Sequence, residues 1–340
     1  MNRLAIVIPA YKIEHLGKVF QCIKNQTCQD FSLYVFDDAS PYDIKGCFDV
    51  FFKESETVHF YRFPDNLGSI NLSRHWNRCV ELAGDEEWVW NFSDDDVMSP
   101  DCVEEFYKHV DDADVHDVMR FILNGTNNSN QVVPFRNPTV RVLSCVDFFS
   151  QNYMGIIDAR MQEFVFRRNK LREIGGYVPY DLAWRSDNAT VMKMAYPYGI
   201  FNLPKGEVLW RKGTENVSGR TDYNKRKNEV TIEFFNWVDV FFKEHNLSYT
   251  ISEDNLLKVY AWSLLLENKM NLDERVQEIS SRLVFINSTQ RQQLFLKEAK
   301  RSLKRHLSVR RQKQFFCFLK KHALSAVAIL LVIIALIWLL

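Results

Sequence analysis

The chain has 340 residues, 46% hydrophobic and 25% charged, and its 43 basic and 43 acidic side chains cancel at neutral pH. That length admits two domains, or one large domain with an appendage, and the composition is that of an ordinary folded protein rather than a disordered or fibrous one. The neutrality hides a segregation: eleven cations between Arg291 and His322 are opposed only by Glu298, so the remainder is net acidic, which speaks against a nucleic-acid role for the main body.

Leu4 to Ile8 is an apolar strand ended by Pro9. Ile13 to Gln26 has helical spacing, with Leu16, Val19, Phe20 and Ile23 on one face. Phe31 to Phe36 is a second strand, closed by Asp37-Asp38-Ala39-Ser40-Pro41, and a short helix follows through Phe48, Phe51 and Phe52. Val58 to Phe63 is a third strand, which Pro64-Asp65-Asn66-Leu67-Gly68 turns into a helix across Leu72, Trp76 and Leu82. Trp88 to Phe92 is a fourth, and it runs into Ser93 and then Asp94, Asp95 and Asp96. An unpaired carboxylate is too costly to bury in ionised form. The three aspartates therefore belong at the strand's exposed end, as a divalent-cation site or as a plain acidic turn. Ser99-Pro100-Asp101 opens the next helix.

Four alternations of strand and helix, with connections long enough for crossovers, imply a parallel sheet with helices on both faces. Ligands bind such sheets at the carboxyl ends of the strands. Pro9-Ala10-Tyr11, Asp37-Asp38, Asp65-Asn66 and Asp94-Asp95-Asp96 all fall there, which points to a single crevice. No GxGxxG or GxxxxGK[ST] follows the first strand, so neither a dinucleotide fold nor a P-loop NTPase is supported.

Asp111, Asp112, Asp114 and Asp117 read as a solvated acidic face, Val118 to Leu123 as a strand, and Gly125 to Asn130 as a surface loop or hairpin tip. A helix starts at Ser144, a strand spans Glu163 to Phe166, and a helix spans Lys170 to Ile174, stopped by Gly175-Gly176. Ala183-Trp184-Arg185-Ser186-Asp187-Asn188 leads into a helix, and Val208 to Lys212 is the last strand, before a polar loop through Ser218. Beyond Tyr223 the pattern stays helical, and its aromatic stripes read as core packing.

Seven scattered cysteines, with no CxxC pair, suggest neither a disulfide frame nor a zinc site and fit reduced thiols facing the cytosol. Leu4 to Ile8 is too short for a signal peptide and lacks a small-residue cleavage site after it, so sequons such as Asn71 and Asn124 are expected to go unused. Ala323 to Leu340 is an uncharged apolar run behind Lys320-Lys321; as a helix it reaches about 27 Å, enough for a bilayer core. The alternative is a buried C-terminal core helix. The expectation is a body at the cytoplasmic face of the cell membrane, anchored C-terminally, with its basic segment against anionic lipid.

Ile6-Val7-Ile8-Pro9-Ala10-Tyr11-Lys12, Phe36-Asp37-Asp38-Ala39-Ser40, Asn66-Leu67-Gly68 and Ser93-Asp94-Asp95-Asp96, in this order, resemble the family 2 glycosyltransferases of GT-A fold, in the style of bacterial enzymes that build surface polysaccharide. Gly175-Gly176-Tyr177 followed by Arg185-Ser186-Asp187 resembles that family's acceptor-side segment. The resemblance implies a Rossmann-like, mostly parallel sheet with helices on both faces over residues 1–220. Beyond it are expected a helical extension over 221–290, basic juxtamembrane helices over 291–322 and a membrane helix over 323–340.

The resemblance further implies a nucleotide-sugar pocket formed by Pro9, Tyr11, Asp38, Asn66, Gly68, Asp94 and Arg211, with Asp38 on the base of the donor. It implies Mn²⁺ or Mg²⁺ on Asp95 supported by Asp96, with Asp94 on ribose or metal, and Asp187 as the base of an inverting transfer. The donor would be a nucleoside-diphosphate sugar and the acceptor a glycan or lipid-linked hydroxyl. The sequence departs from the family pattern at Ser93, where an aspartate is usual, at Ser73-Arg74-His75-Trp76-Asn77, and at Ser186, where a glutamate is usual. Asp187 also has the reading of a helix cap, and Arg211 that of a surface ion pair. A membrane-anchored scaffold with a degenerate transferase domain is the alternative function, and a nucleotidyltransferase a distant third.

Overall fold

The computed structural model describes residues 3–126, 131–213, 217–264 and 272–301. The elements in the first part of the chain are β1 (Leu4–Ala10), α1 (Leu16–Lys24), β2 (Phe31–Asp37), α2 (Ile44–Phe51), β3 (Val58–Arg62), α3 (Leu72–Leu82), β4 (Trp88–Asn91), β5 (Val97–Met98) and α4 (Cys102–His109). They continue with β6 (Val118–Thr126), β7 (Val132–Pro134), β8 (Val142–Leu143), α5 (Cys145–Tyr153), β9 (Phe164–Arg167), α6 (Arg168–Glu173), α7 (Ser186–Ala195) and β10 (Ile200–Arg211). The helices α8 (Asn224–Glu244), α9 (Glu253–Leu264) and α10 (Leu272–Arg282) come next.

The sheet runs β3-β2-β1-β4-β9-β6-β10-β5, with β7 on β6 and β8 on β10. From β3 to β4 every pairing is parallel, as the alternation of elements predicts. The other half is mixed: β9 lies antiparallel between β4 and β6, β6 and β10 are parallel, and β5 closes the edge antiparallel to β10. The expectation of a mostly parallel sheet is thus corrected to a mixed one whose first half is parallel.

Strands covered on both faces need no alternation, and β1 reads accordingly. Leu4, Ile6 and Ile8 join a core with Phe20 of α1, Phe48 of α2 and Phe106 of α4, while Ala5 and Val7 are buried on the opposite side, where α3 packs. Each such large apolar side chain contributes about 1.5–3 kcal/mol by leaving water. Local caps fix where the helices begin: Asp43 accepts from Gly46 N at 2.8 Å, Asn71 from Arg74 N at 3.0 Å and Ser144 from Asp147 N at 3.0 Å.

The last strand is longer than the sequence suggests. It starts at Ile200 and carries a register shift against β6 between Asn202 and Glu207, where Pro204 and Gly206 interrupt the apolar pattern.

The chain divides into two compact units at Asn255/Leu256. In the first, Phe149 of α5 packs against Phe234, Phe235 and Phe242 of α8. In the second, Tyr260 meets Phe285 edge-on, and Ile279, Leu283, Ile286 and Phe295 are buried. No helix among the described residues is long and apolar enough to cross a membrane. The expected anchor over 323–340, and most of the basic segment before it, lie outside the described residues.

Candidate active site

The carboxyl ends of β1, β2 and β4 and the loop after β3 meet at one edge of the sheet and border a cavity of about 970 Å³, at the upper end of small-molecule sites. Pro9, Tyr11, Asp38, Asn66, Gly68, Asp94, Asp95 and Asp187 all line it. The structure therefore brings together eight of the ten residues expected at the site. Asp96 and Arg211 sit behind the wall.

Crossed hydrogen bonds tie the strand ends to one another. Asp94 Oδ2 accepts from Tyr11 N at 2.8 Å and Lys12 N at 2.7 Å, so β4 fixes the path of the chain leaving β1. Ser40 Oγ donates to the Tyr11 carbonyl at 2.6 Å, which ties in β2. Asp37 is fully buried, accepting from Ser40 N at 2.8 Å and pairing with Arg62. Asp38 accepts from Leu67 N at 3.1 Å, Gly68 N at 2.8 Å and Arg78. Burial raises the Asp38 carboxyl, against the pull of Gly68 N–H and Arg78. His75, driven down to about 3 mainly by burial, is neutral, and its Nδ1 accepts from Arg78 Nε at 3.1 Å. That bond aims the guanidinium at Asp38. A Cβ on Gly68 would lie 2.6 Å from Asp38 Oδ2, so the backbone can approach the carboxylate this closely only without a side chain.

The three consecutive aspartates separate. Asp94 is pushed up to about 6, first by burial and then by the charge of Asp95. Asp95 Oδ2 meets Lys12 Nζ at 2.9 Å and its Oδ1 accepts from Ser93 Oγ. Burial alone would lower the Lys12 ammonium, but the charges of Asp94 and Asp95 outweigh it and raise it. Asp96 Oδ1 accepts from Arg211 N at 2.6 Å, because β5 pairs with β10 directly after the triplet. Its Oδ2 is buried with no partner, and burial raises the carboxyl well above the ordinary range. The expected metal pair of Asp95 and Asp96 is not brought together on the wall; Asp94 is the carboxylate that lines it beside Asp95. Arg211 is likewise turned to the protein, its Nε reaching the Asp95 carbonyl at 3.1 Å.

These residues fit a hard divalent cation in a restricted way. Asp95 already holds a cation at the cavity surface in the Lys12 ammonium, so the site attracts positive charge. No group of three or more His, Cys, Asp or Glu side chains converges among the described residues. Two carboxylates at most are on offer, which is the donor set for Mg²⁺ or Mn²⁺ completed by water and diphosphate oxygens.

Asp187, also on the cavity lining, lies in the first turn of α7, and its Oδ1 accepts from Asn188 N at 2.8 Å. The cap position belongs to Arg185, not Asp187. Burial raises the Asp187 carboxyl, opposed by the Asn188 N–H and by the charges of Arg185 and Arg160. The approach to α7 is strained: Leu182, Ala183 and Arg185 have φ of 60°, 50° and 68°, the left-handed region that non-glycine residues avoid. Asn77, whose role sequence reading left open, clamps the preceding turn, accepting from Tyr177 N at 2.7 Å and donating to its carbonyl at 3.0 Å. Lys12, Arg160, Trp184 and Trp210 also line the cavity and were not singled out by the sequence. Lys12, inside a matched motif, and Trp184 and Trp210, each beside a residue the resemblance pointed to, had a signal; Arg160 sits in an irregular stretch with none.

The sequence profile described as glycosyl transferase family 2 matches residues 5–177, just over half of the chain. No curated protein matches it. Among solved structures, residues 1–349 of S. aureus TarS in complex with UDP-GlcNAc align at 14% identity and TM-score 0.58, covering 88% of this chain and 91% of that one. The same fragment in complex with UDP aligns at 13% identity and TM-score 0.54, covering 91% and 92%. GalNAc-T7 with UDP, GalNAc and Mn²⁺ aligns at 12% identity and TM-score 0.52, covering 90% of this chain and 58% of that one. At such identities the likeness is one of fold.

Proposed function

The chain belongs to glycosyl transferase family 2, and from that premise we propose that it is an inverting transferase moving a sugar from a nucleoside-diphosphate sugar to an acceptor hydroxyl. We place it at the cytoplasmic membrane face, in polysaccharide or glycolipid synthesis. The observation that carries the reaction is one cavity lined both by the strand-end residues Tyr11, Asp38, Asp94 and Asp95 and by Asp187. The UDP-GlcNAc and UDP of TarS and the Mn²⁺ of GalNAc-T7, in proteins of similar fold, support the donor class.

In this reading the donor's nucleotide lies along the ends of β1 and β2, with Tyr11 offering a ring face and Asp38 an acceptor edge. Asp95, with Asp94, would hold Mn²⁺ or Mg²⁺, which when bound supplies positive charge to the diphosphate leaving group. Lys12 adds a second positive charge beside the same carboxylates. Asp187 takes the proton of the acceptor hydroxyl as that oxygen bonds to the anomeric carbon. The bond from that carbon to the diphosphate oxygen breaks with its electron pair leaving on the diphosphate. Attack from the face opposite the leaving group inverts the anomeric centre. Burial suits Asp187 to the task, since a carboxylate raised above its ordinary range is a stronger base.

Asp187→Asn keeps the size of the side chain and removes the base. Transfer from the accepted nucleotide sugar is expected to fall by about 10²–10⁴-fold with an unchanged melting temperature; transfer retained in the folded variant would remove Asp187 from this role.

A further inference from the structure

Two guanidinium groups on the cavity wall make no direct ion pair, although carboxylates act on them from a distance: Asp187 on both, and Asp158 and Glu163 on Arg160. Arg160 and Arg185 both line it, and the Nε of each is buried without a hydrogen-bond partner. Neither is paired with a carboxylate among the described residues. The neighbouring cations differ: Lys12 is held by Asp95 at 2.9 Å and Arg220 by Asp222 at 2.5 Å. A buried N–H donor without an acceptor is costly, and proteins normally supply one.

The two side chains are instead laid over aromatic rings. Arg160 lies 4.7 Å from the centre of Trp210, and Arg185 lies 5.0 Å from Tyr153 and 4.9 Å from Trp184. A guanidinium stacked on a ring keeps its N–H edge turned outward, and that edge is the fork that grips phosphate. Arg160 spends Nη1 on the Ala159 carbonyl at 2.5 Å and has its Nε without an acceptor. Arg185 is presented from a left-handed backbone at φ 68°, a strained conformation of the kind retained at functional positions.

Their place sets which substrate they meet. The charges of both arginines act on the Asp187 carboxyl, although its one hydrogen bond goes to Asn188 N. The base must be within reach of the acceptor hydroxyl, so groups beside it belong to the acceptor side. The donor's diphosphate belongs with Asp95 and Lys12, which are paired to each other.

We propose that the acceptor is a phosphate ester, gripped by Arg160 and Arg185 while a hydroxyl of the same molecule faces Asp187. This rests on Asp187 marking the acceptor side.

The test is calorimetric, on the full chain at fixed salt, first with UDP and Mn²⁺ and then with sn-glycerol 3-phosphate or glycerol, each titrated with and without saturating UDP and Mn²⁺. Glycerol phosphate is expected to bind the UDP-loaded chain at least about tenfold more tightly than glycerol. Arg160→Gln and Arg185→Gln should each weaken it by about tenfold or more, the loss of a charge-assisted hydrogen bond, and leave the Kd for UDP within about threefold. Equal binding of glycerol and its phosphate overturns the proposal, as does glycerol phosphate binding that UDP displaces or that the two substitutions leave unchanged. A rise in the Kd for UDP in the variants also overturns it, assigning the arginines to the donor. Failure of UDP to bind at all counts against the transferase reading instead, and the glycerol phosphate titrations without UDP still decide whether the arginines hold a phosphate.

Discussion

Asp94, Asp95 and Asp96 divide their work by what each oxygen touches. Asp94 holds the backbone of Tyr11 and Lys12, Asp95 meets the Lys12 ammonium at the cavity, and Asp96 accepts from Arg211 N behind it. Asp95→Ala is therefore expected to abolish the Mn²⁺-dependent part of UDP binding, a loss of at least about tenfold for a charged ligand bond. Asp96→Asn, which keeps an acceptor oxygen for Arg211 N, should leave UDP affinity within about twofold. Calorimetry with and without Mn²⁺ separates the two; a large effect of Asp96→Asn would return that residue to the metal. Asp187 carries a prediction in pH. It works ionised, so activity falls as the pH drops through its pKa, and because burial raises that pKa the acid limb should lie above the range of an ordinary aspartate near 3.8. Arg185 and Arg160 oppose the rise, so Arg185→Gln should move the limb of kcat/KM further up in pH. A limb that stays in place, or shifts down, would detach Arg185 from the base.

The segment from Gly175 to α7 shows how an element carries a site. Gly175 and Gly176 take φ of 85° and 79°, and the turn they make is held by Asn77 of α3. A Cβ on Gly176 would lie 2.5 Å from Asn77 Oδ1, whereas one on Gly175 meets nothing within 4 Å. Gly175→Ala should cost only the left-handed conformation, about 1–2 kcal/mol. Gly176→Ala should cost that plus the Asn77 clamp, about 1–3 kcal/mol more. Denaturant titration of both variants reads the difference, and equal losses would show that the clamp contributes nothing. The same contrast explains what the sequence made legible. The parallel strands of the first half are short, largely apolar runs closed by Pro or Asp, so their ends, and Tyr11, Asp38 and Asp95 beyond them, could be located from pattern alone. The reversed β9 could not, since periodicity records burial and not the direction of the neighbour. The start of β10 was hidden by the polar register shift at Asn202–Glu207. Asp96 was misplaced because adjacency in sequence does not say which way a side chain turns once Val97–Met98 pairs with β10. Arg160 became visible only when folding brought Trp210 and Asp187 to the same wall.

At the scale of the whole molecule the charge is arranged in order along the chain: a net acidic body, a basic stretch from Arg291 to Lys321, then the uncharged run Ala323 to Leu340. Each basic residue near an anionic leaflet contributes about 1 kcal/mol, an attraction that salt screens. Insertion of the apolar run does not depend on salt, so the two contributions can be separated. The full chain is expected to sediment with membranes and to stay there in 1 M salt, where the Debye length is about 3 Å. Leu331→Arg combined with Ile334→Arg places two charges in the middle of the run, at about 2.5–3.5 kcal/mol each. That double variant should be released by salt while its UDP binding is unchanged, since every residue lining the cavity lies before Lys225. If the native chain is itself released by salt, the run is not an anchor and the basic stretch alone brings the transferase to the surface. If the double variant stays in the pellet without salt and leaves it with salt, both contributions operate, with the basic stretch steering the body to the leaflet and the apolar run holding it there.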